Sequence, residues 1–308
     1  MRVTSHTFPQ NLTDQLGRLA TRQNELQKQA ATGQRIHNPE DDPGSFRRLS
    51  GLDTEAKKLG QYRRNIDRLN ELASANYQAA DSLSTIVKRA REIASGASEL
   101  NASNANVHAQ EVDQLIEQAL QIANSKNRDT YLFSGTKTET IPFEAERVDG
   151  RITAVSYQGN ADLPENAISD QTRVSGRILG SSNDPTSPRG LIEDASQGAD
   201  LFRHLIQLRD KIETGDIDGI RQEVNPALGN DEDNLIYHVG ALGAHQLRLE
   251  VTEASHRARG FAVENMVSKE ADADLAQTIV SLNQVQNAYR AALQSGANIL
   301  NNSLMDFL

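Results

Sequence analysis

Two narrow stripes of apolar residues, one near each end of the chain, dominate its hydrophobic pattern. Both repeat in alternating steps of three and four residues, the spacing typical of a helix in a coiled coil. Because a stripe this narrow cannot be buried in a lone helix, each one needs a partner helix. We expect these inter-helix and assembly stripes to consist of Leu12, Leu16, Leu19, Leu26, Leu275, Ile279, Leu282, Tyr289, Leu293 and Leu300.

Helical patterning extends inward from both stripes. The longest apolar alternation runs from Leu59 to Ala94, about five heptads, which is enough to indicate a coiled coil. Thr32-Gly33 is a helix-ending signal, and the two prolines of residues 38–44 exclude a continuous helix there. The predicted helices cover residues 11–33, 45–100, 107–127, 196–214, from about 235 toward 268, and 270–306.

The helical period disappears between residue 136 and about residue 190. Asp149-Gly150 is a strong hairpin signal, and it is flanked by the short segments 144–148 and 151–157. The second of these is rich in β-branched residues. The pattern therefore predicts a mainly α protein: a long antiparallel helical bundle or coiled coil, formed by the N- and C-terminal segments, with a small β-rich inserted domain.

Composition narrows the classes of protein that fit this pattern. Only 37% of the residues are hydrophobic and 4% aromatic, with no Trp, which favours a thin helical bundle over a thick globular core. The formal charge of −10 argues against a nucleic-acid partner. The chain has no Cys and no apolar run of about 20 residues for a membrane span. The first residues lack the apolar core of a cleaved signal peptide, so export would need another route.

Motifs that carry catalysis are missing from the sequence. It contains no H-E-x-x-H zinc motif, no phosphate-binding loop, no G-x-G-x-x-G turn and no G-x-S-x-G nucleophile elbow. His238 and His245 share a helix face but lie two turns apart, too far for one metal ion without a third element. We therefore expect no catalytic, cofactor-binding or metal-binding residues, and a protein that is not an enzyme.

Several segments have the character of a known family. Residues 29–36, followed by 38–43, are similar to an S/T-G-x-R-I/V-x-x-P-x-D-D-P signature. The other segments that carry the likeness are residues 87–94, 131–143, 156–160 and 302–308. On these segments the chain resembles the flagellin superfamily, and within it the type 3 branch of hook-associated proteins, which form the hook–filament junction.

The resemblance implies a division into three domains. Residues 1–37 with 270–308 would form an inner terminal coiled-coil domain, an antiparallel helix pair lining a narrow channel. Residues 38–135 with 195–269 would form a helical rod domain that packs against neighbouring subunits. Residues 136–194 would form a small β-rich outer domain.

The resemblance also implies partners and a location. The chain would be a structural subunit that joins the hook, through hook-associated protein type 1, to the flagellin filament, and it would contact further copies of itself in a ring or helical assembly. It would leave the cell unfolded through the flagellar type III export apparatus, with an export chaperone covering its C-terminal helix. Its location would be the extracellular flagellum.

Three other readings stay open on the sequence. A flagellin or minor filament subunit would share the fold and the export route, and differ in position and copy number. A filament protein with an enzymatic insert is disfavoured by the small insert and the missing zinc motif. A cytosolic coiled-coil scaffold would use the same heptads without export.

Overall fold

The chain forms long helices at both ends and short strands between them. A computed structural model describes residues 7–99 and 104–305, with the side chains of residues 10–97 and 104–298. The mainly α fold class is confirmed. In chain order the elements are α1 (Thr7–Thr32), α2 (Pro43–Ser95), a 3-10 turn (Gly96–Glu99), α3 (Ala105–Ala123), β1 (Lys126–Asn127), β2 (Thr130–Tyr131), β3 (Phe143–Val148), β4 (Arg151–Tyr157), β5 (Glu165–Ala167), β6 (Arg173–Ser175), β7 (Leu179–Ser182), β8 (Gly190–Asp194), β9 (Ala199–Asp200), α4 (Leu201–Thr214), α5 (Ile217–Gly219), a π turn (Ile220–Val224), α6 (Asn225–Ala271) and α7 (Leu275–Met305).

The described residues fall into two compact units. The terminal unit is drawn from Met1–Lys58 and Ala258–Leu308, and it contains α1, α7 and the adjoining ends of α2 and α6. The central unit, Leu59–Arg257, contains α3, the strands, α4, α5 and the rest of α2 and α6. The three-domain division implied by the family resemblance stays a prediction. None of the helices within residues 7–99 and 104–305 carries an apolar run that could cross a bilayer.

The core of the central unit is built on the apolar stripe of α2. Its positions are buried without exception from Ile66 onward, including several alanines whose small size lets neighbouring helices approach closely. From Ala80 onward the stripe shares one core with leucines of α4 and α6 and with the apolar face of α3, whereas Ile66 and Leu69 pack in a separate cluster with Ile168 and Leu249. Full burial of one leucine stabilises the fold by roughly 1.5–3 kcal/mol. The stripe residues with no exposed surface are Ile66, Leu69, Ala73, Ala80, Leu83, Val87, Ala90 and Ala94.

The predicted hairpin forms as β3 and β4. Val148 pairs with Arg151 across the turn, and Asp149 and Gly150 have φ values of 51° and 82°. Positive φ at both central residues defines the turn that matches the twist of two antiparallel strands. Phe143 at the start of β3 is buried against the ring of Phe202, with 5.6 Å between the ring centres. The hairpin is thereby joined to α4.

Helix α3 ends earlier than the sequence predicts, because the Asn124 side chain forms hydrogen bonds with the backbone of strand β3. The prediction extends the helix to residue 127, whereas α3 ends at Ala123. Asn124 Nδ2 donates to the carbonyl of Phe143 at 2.8 Å, and Asn124 Oδ1 accepts from the Phe143 amide at 3.0 Å. The side chain thus extends the strand pairing to the end of α3. The strands form four small sheets, three of two strands and one of three, among the described residues.

A buried His–Asp contact fixes the start of α4 against α6. His204 Nδ1 lies 2.7 Å from Asp231 Oδ2, and both side chains are buried. The other oxygen of Asp231 accepts the backbone amide of Asp200 at 2.8 Å. Burial raises the pKa of Asp231, while the hydrogen bond from His204 opposes that rise. Because both partners are desolvated, the pair holds only as long as each satisfies the other.

Replacement of Asp231 by alanine tests this anchor. Asp231→Ala leaves His204 and the Asp200 amide unpaired in the interior, so we expect the free energy of unfolding to fall by roughly 3–5 kcal/mol. Urea denaturation followed by circular dichroism measures the change. Asp233→Ala, at an exposed position on the same helix, is the matched control and should cost less than about 0.5 kcal/mol. Equal losses in the two variants would contradict the anchoring role.

Candidate assembly surface

The terminal unit is closed by a short backbone pairing between its two halves. Gly33 ends α1 with a φ of 73°, a left-handed conformation that glycine adopts without strain. Its carbonyl accepts the amide of Ala273 at 2.8 Å, and the amide of Arg35 donates to the carbonyl of Ala271 at 2.6 Å. The end of α1 therefore lies beside the segment that leads into α7.

Charged side chains reinforce this pairing. Arg48 Nε and Nη2 donate to the two carboxylate oxygens of Glu270 at 2.9 and 3.0 Å. Arg35 Nη2 donates to the backbone carbonyl of Glu270 at 3.0 Å. The hydrogen bond from Arg48 lowers the pKa of Glu270. Two arginines from the N-terminal half thus converge on one residue at the end of α6.

In the acidic loop between α1 and α2, two aspartates accept hydrogen bonds from backbone amides. Asp41 Oδ2 accepts the amides of Asn38 and His37 at 2.8 and 2.9 Å. Asp42 Oδ1 accepts the amides of Ser45 and Gly44 at 3.0 and 3.1 Å, which caps the start of α2. These backbone hydrogen bonds lower the pKa of both carboxyl groups. The motif that carries the family likeness therefore has a local structural role.

From this closed end, α1 and α7 run antiparallel and pack along their length. Leu12 lies 21 residues before Gly33, and Gly296 lies 23 residues after Ala273. At 1.5 Å per helical residue these intervals span about 32 and 35 Å, so Leu12 and Gly296 should lie side by side. They do: a Cβ on Gly296 would come within 2.5 Å of Leu12 Cδ2. The glycine makes room for the leucine at the far end of the pair.

The predicted stripe residues differ in how far they are buried. Leu26 is only 3% exposed. On α7, the side chains of Leu275, Ile279 and Leu293 are 47%, 51% and 47% exposed. The backbone of Leu300 belongs to α7, but its side chain lies outside the described part of the chain. The stripe residues that are half-buried are Leu12, Leu16, Leu19, Leu282 and Tyr289.

Further positions of α7 with little exposed surface lie beside the predicted stripe. Thr278 is 7% exposed and Gly296 is buried, while Val285 and Ala292 are half-buried. These positions share a helix face, at spacings of seven, seven and four residues. Of these positions, Gly296 lies directly against Leu12 of α1.

Part of the predicted stripe of α7 stays exposed and forms an uncovered apolar surface. Leu275, Ile279 and Leu293 share one side of the helix, whereas Val280, which is 51% exposed, lies further around it. Exposed aliphatic groups at helical spacing lower their free energy by packing on another helix. No group of three His, Asp or Glu side chains in the described residues is placed to hold a metal ion. The surface can therefore contribute non-covalent helix packing.

Comparisons with known proteins place this architecture in a class. Residues 5–138 match the family model described as the bacterial flagellin N-terminal helical region. A flagellar hook-associated protein 3 from Escherichia coli is 24% identical over 279 residues, 87% of each chain. One from Salmonella typhimurium is 22% identical over 293 residues, 91% of this chain and 90% of that one.

The fold is also found among solved structures. A flagellar hook-associated protein from Vibrio parahaemolyticus superposes with a TM-score of 0.64 at 19% identity, over 75% of this chain and 100% of that one. The chain is thus a flagellin-like, mainly helical protein, and its resemblance to the flagellin superfamily is confirmed. It is also similar along most of its length to proteins named flagellar hook-associated protein 3.

The buried and exposed leucines of the helix pair should respond differently to truncation. Leu26→Ala removes a buried side chain, so we expect the free energy of unfolding to fall by about 2–4 kcal/mol. Leu293→Ala, the matched control on the uncovered surface of α7, should cost under about 1 kcal/mol in the isolated chain. Urea denaturation followed by circular dichroism measures both. A larger loss for the control would mean that α7 packs through the other face.

The caps of the acidic loop make stability depend on pH. Because the folded pKa values of Asp41, Asp42 and Glu270 are lowered, their stabilisation is complete above the ordinary carboxyl pKa of about 4 and is lost as pH falls through the folded values. The double variant Asp41→Asn/Asp42→Asn lacks the charges at every pH. Its melting temperature should lie below that of the wild type at pH 7, and the gap should close as the pH falls below the lowered folded pKa values of the two carboxyl groups. Asp14→Asn is the control for loss of a surface charge, and a gap that stays constant with pH would contradict the assignment.

Proposed function

We propose that this chain is a structural subunit of the bacterial flagellum that joins the hook, through hook-associated protein type 1, to the flagellin filament. The observation that carries the proposal is similarity to two proteins named flagellar hook-associated protein 3, over 87% and 91% of the chain. Both matches extend across the helices and the β-rich segment. The proposed protein has a mechanical role and is not an enzyme.

The helix pair supports an assembly role on physical grounds. A helical assembly uses heterologous contacts, in which one face of a subunit meets a different face of the next. The uncovered apolar surface of α7 is suited to such a contact, because it remains available after α1 and α7 have paired. In this proposal residues 1–37 and 270–308 form the inner domain, residues 38–135 and 195–269 the rod, and residues 136–194 the outer domain.

The same surface gives an export chaperone something to bind. Leu275, Ile279 and Leu293 would promote aggregation if they stayed exposed in the cytoplasm. A chaperone that covers the C-terminal helix would prevent this until the chain enters the flagellar type III export apparatus. The absence of cysteine removes the risk of wrong disulfides as the chain moves to the oxidising exterior.

A flagellin or minor filament subunit is the second candidate. The observation that favours it is the match of residues 5–138 to the flagellin N-terminal helical region. The two candidates differ in where the protein lies along the flagellum and in its copy number, so its position decides between them.

Immunogold electron microscopy of intact flagella tests the proposal. Antibody raised against residues 136–194 should give a single band of label where the hook meets the filament. Flagella from cells that lack the gene are the control for antibody specificity. Label along the whole filament would make the chain a filament subunit, and flagella without label from cells that produce the protein would exclude both flagellar roles.

A further inference from the structure

A groove of about 610 Å³ in the central unit is lined by four arginines. Arg64 and Arg68 lie one turn apart on α2, Arg128 lies in the turn between β1 and β2, and Arg177 follows β6. Like charges one turn apart on a helix repel each other, and no requirement of the helix itself explains them. The chain as a whole carries a formal charge of −10, so four arginines around one groove differ in charge from the average of the chain.

The backbone on one side of the groove is held rigidly against α2. A Cβ on Gly176 would come within 2.7 Å of Leu69 Cδ2 and 3.1 Å of Leu72 Cδ1, so any larger residue there would require the buried Leu69 side chain to move. Asn76 Nδ2 donates to the carbonyl of Gly176 at 2.9 Å, in a buried position. Arg177, the next residue, therefore lies at the groove on a segment held against α2. This reduces the conformational entropy that the segment would lose when Arg177 binds a partner.

The opposite side of the groove already shows how a carboxylate binds. Arg128 has a φ of 54°, an uncommon left-handed conformation for a residue with a side chain. From there its Nε and Nη2 donate to the two oxygens of Glu71 at 3.0 and 2.7 Å. This two-point contact is the geometry that arginine prefers for carboxylates. The turn thus positions the Arg128 guanidinium against the Glu71 carboxylate at that edge of the groove.

The other three guanidinium groups have no such acid. Within the described residues, none of Arg64, Arg68 and Arg177 forms an ion pair with a carboxylate of the chain. Arg177 is half-buried, and Nη1 donates to the backbone carbonyl of Tyr131 at 2.7 Å. Burial, and then the nearby charge of Arg68, lower the pKa of Arg177. An anion in the groove would stabilise the charged form of Arg177 and so oppose the lowering of its pKa.

We propose that this groove binds carboxylate side chains of an acidic segment on a second copy of this chain. Asp67 and Asp129 also line it, so the groove carries charges of both signs. A polyanion such as nucleic acid would be repelled by these acids, whereas a peptide segment can present carboxylates to the arginines and amides to the acids. Copies of this chain supply such segments, because each has 42 acidic and 32 basic residues.

The inference rests on the proposed function, since it requires copies that lie side by side in an assembly. The groove and its acidic counterpart would occupy different faces of one subunit, so the contact is heterologous and can be repeated from copy to copy. It adds a charged contact of defined geometry to the apolar packing offered by the terminal helices.

A dicarboxylate probe tests the groove in solution. Succinate at about ten times its Kd should raise the melting temperature of the full chain by about 2–4 °C relative to sodium chloride at equal ionic strength. The variant Arg64→Gln/Arg68→Gln should lose this rise, and Arg63→Gln, a neighbouring exposed position outside the groove, should keep it. The same response in all three proteins, or none in the wild type, would overturn the anion site.

Site-specific photo-crosslinking identifies the occupant. A photoreactive amino acid replaces residue 64 or, as the control, residue 63 in chains that restore motility to cells lacking the gene. Irradiated flagella should yield a two-chain product of this protein from position 64 and much less from position 63. A product with a different flagellar protein, or equal yields from both positions, would overturn the assignment to a second copy.

The two proposals fail in different ways. If immunogold label marks the junction but position 64 gives no two-chain product, the groove assignment is wrong and the junction role stands. If the two-chain product forms and the label runs along the filament, the junction role is wrong and the groove still contacts a second copy.

Discussion

The backbone pairing between residues 33–35 and 271–273 is the constraint on which the terminal unit depends. Two hydrogen bonds, supported by Arg48 and Arg35 on Glu270, place the end of one terminal helix beside the start of the other. Once that end is closed, the rise of an α-helix sets the register of everything beyond it. This is why Leu12 meets Gly296 more than 30 Å away. A one-residue slip at the closed end would turn the apolar faces apart.

Side-chain hydrogen bonds carry a similar function in the central unit. Its sheets have two or three strands, and a lone two-stranded sheet is marginally stable in water. Amide side chains on or beside the helices join strands to helices: Asn124 pairs with Phe143, and Asn234 donates to the carbonyls of Gly190 and Leu191 at 2.8 and 3.1 Å. Apolar packing supplies most of the stability, while these bonds select one arrangement of the strands.

Two surfaces of different character remain available for contacts between subunits. The uncovered face of α7 is apolar, and apolar contacts tolerate small changes of geometry because they are not directional. The arginine groove is polar and partly preorganised, and guanidinium–carboxylate contacts are strongly directional. A subunit between two different lattices benefits from both, since one contact adapts and the other defines register.

The sequence by itself determined the elements and the faces of the central helices. The heptads of α2 are buried as predicted from Ile66 onward, and Asp149-Gly150 forms the predicted turn, because periodicity and turn chemistry are local properties. Only the tertiary structure decided which residues of α1 and α7 meet, since the approach of Leu12 to Gly296 depends on how the closed end aligns the two helices. It also brought Arg177 beside Arg68, more than 100 residues away in the chain, a proximity that no local pattern encodes. Interactions between distant residues depend on how the elements pack, and that packing is a property of the whole fold.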